Sequence, residues 1–329
     1  MENLLVNKVA AVKEVRQAAE YQKKKQACIL TGLAGSSKPV FFAAADKLLG
    51  GKGSMAFITA SREEIRTYRR ELNYLYPDLP MQELYPVSLP RVQADTQSLE
   101  LQAGRAAALR FLSGDERGIV FITAEALQQK QLRPSGMSGK ALQLAVGEEH
   151  EQRNIAAALL DLGYERTEQV DALGQFCLRG DILDVYPINS STAVRIEWFD
   201  NELDAMRSFD VDTQRSLQTL TSIKIAPLKV DESFSYDADI FEYCAADTMV
   251  VVDEPVHVFS MLEKLDKENK EHASELFGKQ ELIEQLAANG AVLVSALGHS
   301  YLQQLPSLNI PVRAVAPYNK NTNLLVEDL

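Results

Sequence analysis

The sequence predicts an α/β protein, a parallel sheet covered by helices and interrupted by a small α+β domain. Three observations predict it. Short apolar runs alternate with helical patterns over the first third, consecutive strands joined by turns follow a breaker cluster at 133–139, and apolar runs with helices return after Leu228. Strands apolar on both faces suit a parallel sheet with helices on either side, because neither face meets water.

The elements follow in order. Residues 27–31 read as a buried strand, 32–39 as a glycine and serine loop, and 40–49 as a helix. Residues 54–59 and 118–123 repeat the strand type and lead into helices at 62–74 and 124–129. Between them 84–90 is a proline-bearing loop and 93–112 is helical. Beyond the breaker cluster, 151–162 is an amphipathic helix, and 176–186, 193–199 and 203–209 are consecutive strands. Ile196 and Trp198 share one strand face and Phe199 takes the other, so at least one aromatic belongs to the core. The α/β style resumes with strands at 248–253 and 291–295 and helices at 258–268 and 278–288; the charged run 264–275 is a solvated helix face or loop. This gives three segments: 1–137, the first part of a sheet domain; 138–228, the insert; and 229–329, the rest of the sheet domain with a small accessory α/β segment.

Composition narrows the function. A net charge of −12 argues against a broad grip on nucleic-acid phosphates, although Arg66, Arg69 and Arg70 could form a local basic patch on one helix. Cys28, Cys177 and Cys244 are far apart and fit no zinc spacing, so reduced thiols and no metal site are expected. The first residues lack a signal-peptide pattern, and no apolar run approaches the roughly 20 residues that span a bilayer. A soluble, cytoplasmic protein without a membrane partner is expected.

The loop after the first strand stands where a phosphate-binding P-loop would. Against GxxxxGK[ST], Gly32 and Lys38 fit and Gly35 lies within the loop, but Ser37 replaces the second glycine and Pro39 replaces the hydroxyl residue that would hold Mg²⁺. Pro39 has neither hydroxyl nor N–H, and it disfavours a helical Lys38. The plain alternative is an ordinary strand-to-helix turn with Pro39 at the first helical position, where proline is favoured. Asp253 and Glu254, which end a buried valine strand, stand where such proteins place their metal-binding Asp and catalytic Glu. The pair reads as a degenerate nucleotide site with no catalytic residue, no cofactor and no phosphoryl transfer.

Four segments then resemble the UvrB/Mfd family of DNA-repair proteins. They are Thr31–Ser36, Gly163–Arg166, the run FCLRGDILDVYP at 176–187, and RIEWFDNEL at 195–203 continuing to SFDVDTQRS at 208–216. The broken P-loop, and a single tyrosine in 84–90 where UvrB carries an aromatic hairpin, place the likeness on the coupling-factor side. The resemblance implies a degenerate P-loop NTPase fold of the RecA/helicase-like kind with an inserted UvrA-binding domain. It also implies an N-terminal fragment of a longer ATP-dependent DNA translocase, whose other regions engage RNA polymerase and double-stranded DNA and mask the insert, or else a free-standing paralogue. Arg166 and Arg179 match the arginines that bind UvrA in the family, and Cys177 stands where UvrB-like sequences often carry another. A planar guanidinium suits paired hydrogen bonds to carboxylates. The plainer readings are that Arg179 pairs internally with Asp181 or Asp184 and that Arg166 is one surface charge among many. The rival function is an active ATP-dependent helicase or excision-nuclease subunit of UvrB type.

Overall fold

The computed structural model describes residues 4–89, 99–114, 116–133, 141–228, 236–296, 305–310 and 312. Its first part runs through helices α1 (Leu4–Ala10) and α2 (Lys13–Lys23), strand β1 (Cys28–Thr31), α3 (Ser37–Leu48), β2 (Met55–Thr59), α4 (Arg62–Leu75), β3 (Met81–Leu84), α5 (Leu99–Ser113), β4 (Ile119–Thr123), α6 (Ala124–Gln128) and β5 (Gln131–Leu132). The middle contains β6 (Leu142–Ala145), α7 (Gln152–Asp161), β7 (Glu165–Arg166), β8 (Gln175–Arg179), β9 (Ile182–Val185), β10 (Ala193–Phe199), β11 (Glu202–Phe209), β12 (Ser216–Leu220) and β13 (Ser222–Ile225). The last part holds β14 (Tyr236–Ala238), β15 (Met249–Asp253), α8 (Pro255–Glu268), α9 (Lys279–Ala288), β16 (Val292–Ser295) and β17 (Ser307–Asn309).

Seven strands in the order β17-β1-β16-β15-β2-β4-β3 form one parallel sheet. Its central strands are apolar up to their last residue, because each residue is buried on one face or the other. Ala56, Ile58, Val120, Ile122, Val250 and Val252 join the core under α5, α6, α8 and α9. Their neighbours Met55, Phe57, Ile119, Phe121, Met249 and Val251 join a second core under α1 to α4. Helix α4 starts where the sequence supplies a capping box, Ser61 with Glu64.

A separate six-stranded sheet, β12-β11-β10-β9-β8-β7, is formed by chain lying between β4 and β15. Its pairs are antiparallel except β7 with β8. Alternation puts Phe176, Leu183, Val185, Val194, Ile196 and Trp198 on one face, where they pack with Ile155 and Leu159 of α7. The opposite face carries a small apolar cluster, Val170, Cys177, Ala193 and Phe209, beside polar side chains. Strands β5 and β14, before and after this sheet in sequence, pair antiparallel.

Several expectations need correction. The run 176–186 is two strands, not one: it folds back at Gly180 and Asp181, where Gly180 takes φ +57° in the region that suits glycine. Residues 81–84 form an edge strand, β3, that MQEL does not announce because it lacks a fully apolar run. Helix α3 begins at Ser37, so Lys38 is helical despite the proline that follows. Its N–H reaches the Gly35 carbonyl at 3.2 Å and its ammonium is held by two carboxylates, and these bonds outweigh the pre-proline preference. Of the helix expected at 93–112, residues 93–98 lie outside the described residues, as does the breaker cluster apart from Arg133.

Candidate functional site

At the end of β1 the chain turns through Gly32 at φ +88°. A Cβ there would lie 2.7 Å from the Ile310 carbonyl oxygen and 2.8 Å from Asn309 Oδ1, so the turn needs glycine for space as well as for conformation. Gly35, at φ +52°, faces open space. The loop then closes on itself: Ser37 Oγ donates to the Ala34 carbonyl at 2.7 Å and accepts from the Ala34 N–H at 3.0 Å. Pro39 is the third residue of α3, not the first helical position expected, and still lies in the first turn, where a missing N–H costs little.

The Lys38 ammonium is buried and donates to Asp253 Oδ1 at 2.6 Å and to Glu254 Oε1 at 2.7 Å. Burial disfavours its charge, but the two carboxylates more than offset that and raise its pKa above the ordinary value. Glu254 also accepts from the Ala296 N–H at 2.9 Å and from Ser295 Oγ at 3.1 Å. Burial acts to raise its pKa, and the bonds to Lys38, Ala296 and Ser295 prevail and lower it. Burial, with the nearby carboxylates of Asp253 and Glu254, pushes the Tyr68 phenol far up. Glu254 takes φ +42°, a left-handed conformation uncommon for a residue with a side chain. The loop lysine and the strand-end acids thus satisfy one another. A phosphate would have to draw Lys38 away from two carboxylates.

The two candidate arginines lie at the β7–β8 edge of the second sheet. Arg166 pairs in register with Phe176 and so shares the α7 side; Arg179 lies on the reverse face. Arg166 is exposed, and its side chain bonds no other described residue. Arg179 is 54% exposed at its side chain and donates to Asp184 Oδ2 at 3.3 Å, while Asp181 accepts from Gln152 instead. Of the two internal partners open to Arg179, the fold selects Asp184. Asp184 is buried and is bound twice more by Arg195, at 2.6 and 2.7 Å. Arg195 lies over the Phe209 ring, 4.7 Å from its centre, and donates to Gln214 at 3.1 Å.

Sequence reasoning missed Arg195, Tyr68 and Ser295. An acid between Leu183 and Val185 in an alternating strand, opposite an arginine on the next strand, was the available sign for the first. Tyr68 and Ser295 reach the acids only through tertiary packing. Cys28 and Cys177 are buried and Cys244 half-buried, all as free thiols.

The comparisons bear on the second sheet most directly. Residues 142–230 match the UvrB interaction domain family. This stretch is similar to the UvrB interaction domain. The chain is 36% identical over 203 residues to the transcription-repair-coupling factor of Bacillus subtilis, covering 61% of this chain and 17% of that protein. It is 28% identical over 165 residues to the factor of Escherichia coli, covering 50% and 14%, and 32% identical over 202 residues to that of Staphylococcus haemolyticus, covering 61% and 17%. By these matches the chain is similar to the N-terminal region of transcription-repair-coupling factors. The matched stretches are less than a fifth of the length of those relatives. Among the described residues, no helix is long and apolar enough to cross a membrane.

Proposed function

We propose that this chain is a catalytically inert adaptor of transcription-coupled nucleotide excision repair, which recruits UvrA through its UvrB interaction domain. The observation that carries the reading is Arg179. It is an exposed guanidinium on a rigid strand inside the matched domain, and only one of its nitrogens is engaged by the protein. Arg166, exposed on the edge strand beside it, adds a second cation that UvrA can reach from the other side of the sheet edge.

The seven-stranded sheet is, on this reading, a degenerate P-loop NTPase domain of the RecA/helicase-like kind. Residues 1–137 and 229–329 form it, the latter with a small accessory segment, and 138–228 are inserted. The paired β5 and β14 form the neck of the insert. Gly32, Gly35, Ser37, Lys38 and Pro39 are the remnant of the nucleotide loop, and Asp253 and Glu254 the remnant of the acidic strand end. Lys38 fills the site with its own charge, so the chain needs no cofactor. ATP-driven translocation on double-stranded DNA, contact with RNA polymerase and masking of the insert belong to other regions of a longer, cytoplasmic protein.

Calorimetric titration of the chain with its cognate UvrA tests the reading, alongside Arg166→Ala and Arg179→Ala variants shown to be folded. Saturable binding by the parent that weakens about tenfold or more in each variant is expected. Failure of the folded parent to bind would remove the adaptor role.

A further inference from the structure

The reverse face of the second sheet, away from α7, is laid out in two rows by strand register. One row runs Cys177, Asp184, Arg195, Arg207 and the next runs Arg179, Ile182, Glu197, Ala205 across β8, β9, β10 and β11. Diagonal ion pairs, Arg179 with Asp184 and Arg207 with Glu197, tie the rows together. Three guanidinium groups thus face two carboxylates, which leaves this patch one positive charge in excess on a chain of net charge −12.

The arginines are not equivalent. Arg195 is the inner one: its side chain is 18% exposed, it forks onto both oxygens of Asp184, and its guanidinium carbon lies over the Phe209 ring. Arg179 is the outer one, and touches the same carboxylate through a single, longer bond to Oδ2. An oxygen already engaged at 2.7 Å by Arg195 holds Arg179 in direction without consuming its fork. Its other guanidinium nitrogens bond no described residue, and the half-exposed side chain stands opposite Ile182 in the hairpin, itself 37% exposed. A pre-oriented guanidinium beside exposed apolar surface is what a strong protein contact uses, since little rotamer freedom remains to be lost on binding.

We infer that the buried Asp184–Arg195 pair is a pedestal that orients Arg179 toward a carboxylate on a partner protein, with Ile182 as the apolar shelf beside that contact. The inference rests on the adaptor reading for the partner's identity, and makes Asp184 and Arg195 positioning residues. The favoured ligand is a carboxylate of a protein rather than a phosphate of nucleic acid. Asp184 and Glu197 neutralise two of the three arginines, and the single positive charge that remains is too little to hold a polyanion by its phosphates.

A double-mutant cycle on UvrA binding tests it, with Asp184→Asn, Arg179→Ala and the double variant, each checked for folding by its near-ultraviolet spectrum. Asp184→Asn is expected to weaken binding about fivefold, and to add less than about twofold once Arg179 is alanine. Losses that multiply would give Asp184 an effect independent of Arg179 and overturn the pedestal. So would unchanged binding in folded Asp184→Asn, or a loss of duplex-DNA binding in Arg179→Ala larger than its loss of UvrA binding. If Asp184→Asn does not fold, Arg195→Lys, which keeps the charge and removes the fork, takes its place in the cycle with the same outcomes. A second measurement needs no partner: the nuclear-magnetic-resonance order parameter of the Arg179 Nε–H in the free chain should fall in Asp184→Asn or Arg195→Lys. An unchanged order parameter overturns the pedestal even where the parent binds UvrA. A parent that does not bind UvrA, with Arg179 ordered by Asp184, removes the adaptor reading alone.

Discussion

Lys38 and Asp253, 215 residues apart in sequence, meet at 2.6 Å between the first turn of α3 and the end of β15. A bond of this kind couples the loop after β1 to a strand two places away in the sheet. It also spends, inside the protein, the charge that a nucleotide-binding lysine directs at phosphate.

Removing the lysine alone should be costly. Lys38→Met leaves Asp253 and Glu254 facing each other without a cation, and breaking a buried pair from one side typically costs about 3 kcal/mol or more. The triple variant Lys38→Met, Asp253→Asn, Glu254→Gln removes every charge and should recover most of that loss. Urea denaturation of the three proteins decides. A single variant as stable as the parent would mean that the cluster contributes nothing.

The same cluster sets a pH dependence. Glu254 is held below its ordinary pKa of 4.5 in the folded protein, so folding favours its ionised form. Such a carboxyl adds stability that is complete above the unfolded value and is lost as pH falls through the lower, folded value. Unfolding free energy should therefore decline below about pH 4.5, and this part of the decline should be absent in Glu254→Gln. At the alkaline end the sign reverses. Lys38 is raised above its ordinary 10.5, and its contribution is whole below that value and lost as pH rises beyond it. Equilibrium denaturation between pH 3 and 5 compares the two proteins, and identical slopes would contradict the assignment.

Restoring the missing loop residues should not restore a nucleotide site. Ser37→Gly with Pro39→Thr returns the glycine and the hydroxyl, but Lys38 stays bound to Asp253 and Glu254. A ligand that binds the native state must raise the melting temperature, so millimolar Mg-ATP should shift parent and variant by less than about 1 °C. A clear saturable shift in the parent would revive the rival reading as an active motor subunit.

Legibility differed between the two sheets for a physical reason. In the parallel sheet, runs such as MAFIT and MVVVD are buried on both sides, and an apolar run bounded by polar residues announces itself in one dimension. Edge strands are different: MQEL needs one apolar flank only, and SLQTL is largely exposed, so neither carries the pattern. The alternating strands around Trp198 were readable because one face is core. The hairpin at Gly180 escaped the sequence reading because a lone glycine inside a strand-like run marks a bulge as readily as a turn, although Arg179, Gly180 and Asp181 do interrupt the apolar run. The candidate site was legible as residue types only. That Lys38 meets Asp253, or that Asp184 serves two arginines, depends on strand order and register, which spacing in the chain does not encode.

Adjacent aromatics on β10 offer a sharp test of that register. Trp198 is 6% exposed, lies in the core under α7 and donates its indole N–H to the His150 carbonyl at 2.9 Å, whereas Phe199 is 77% exposed on the reverse face. Trp198→Ala removes a large buried ring and leaves a carbonyl without its donor, a loss of about 3–5 kcal/mol. Phe199→Ser changes an exposed position and should move stability by less than about 0.5 kcal/mol. Thermal and chemical denaturation of the two variants should therefore differ widely for neighbours in sequence. Because a one-residue slip of β10 would exchange the two faces, equal losses, or a larger loss at Phe199, would mean that the strand is registered the other way and that Arg195 does not face Asp184.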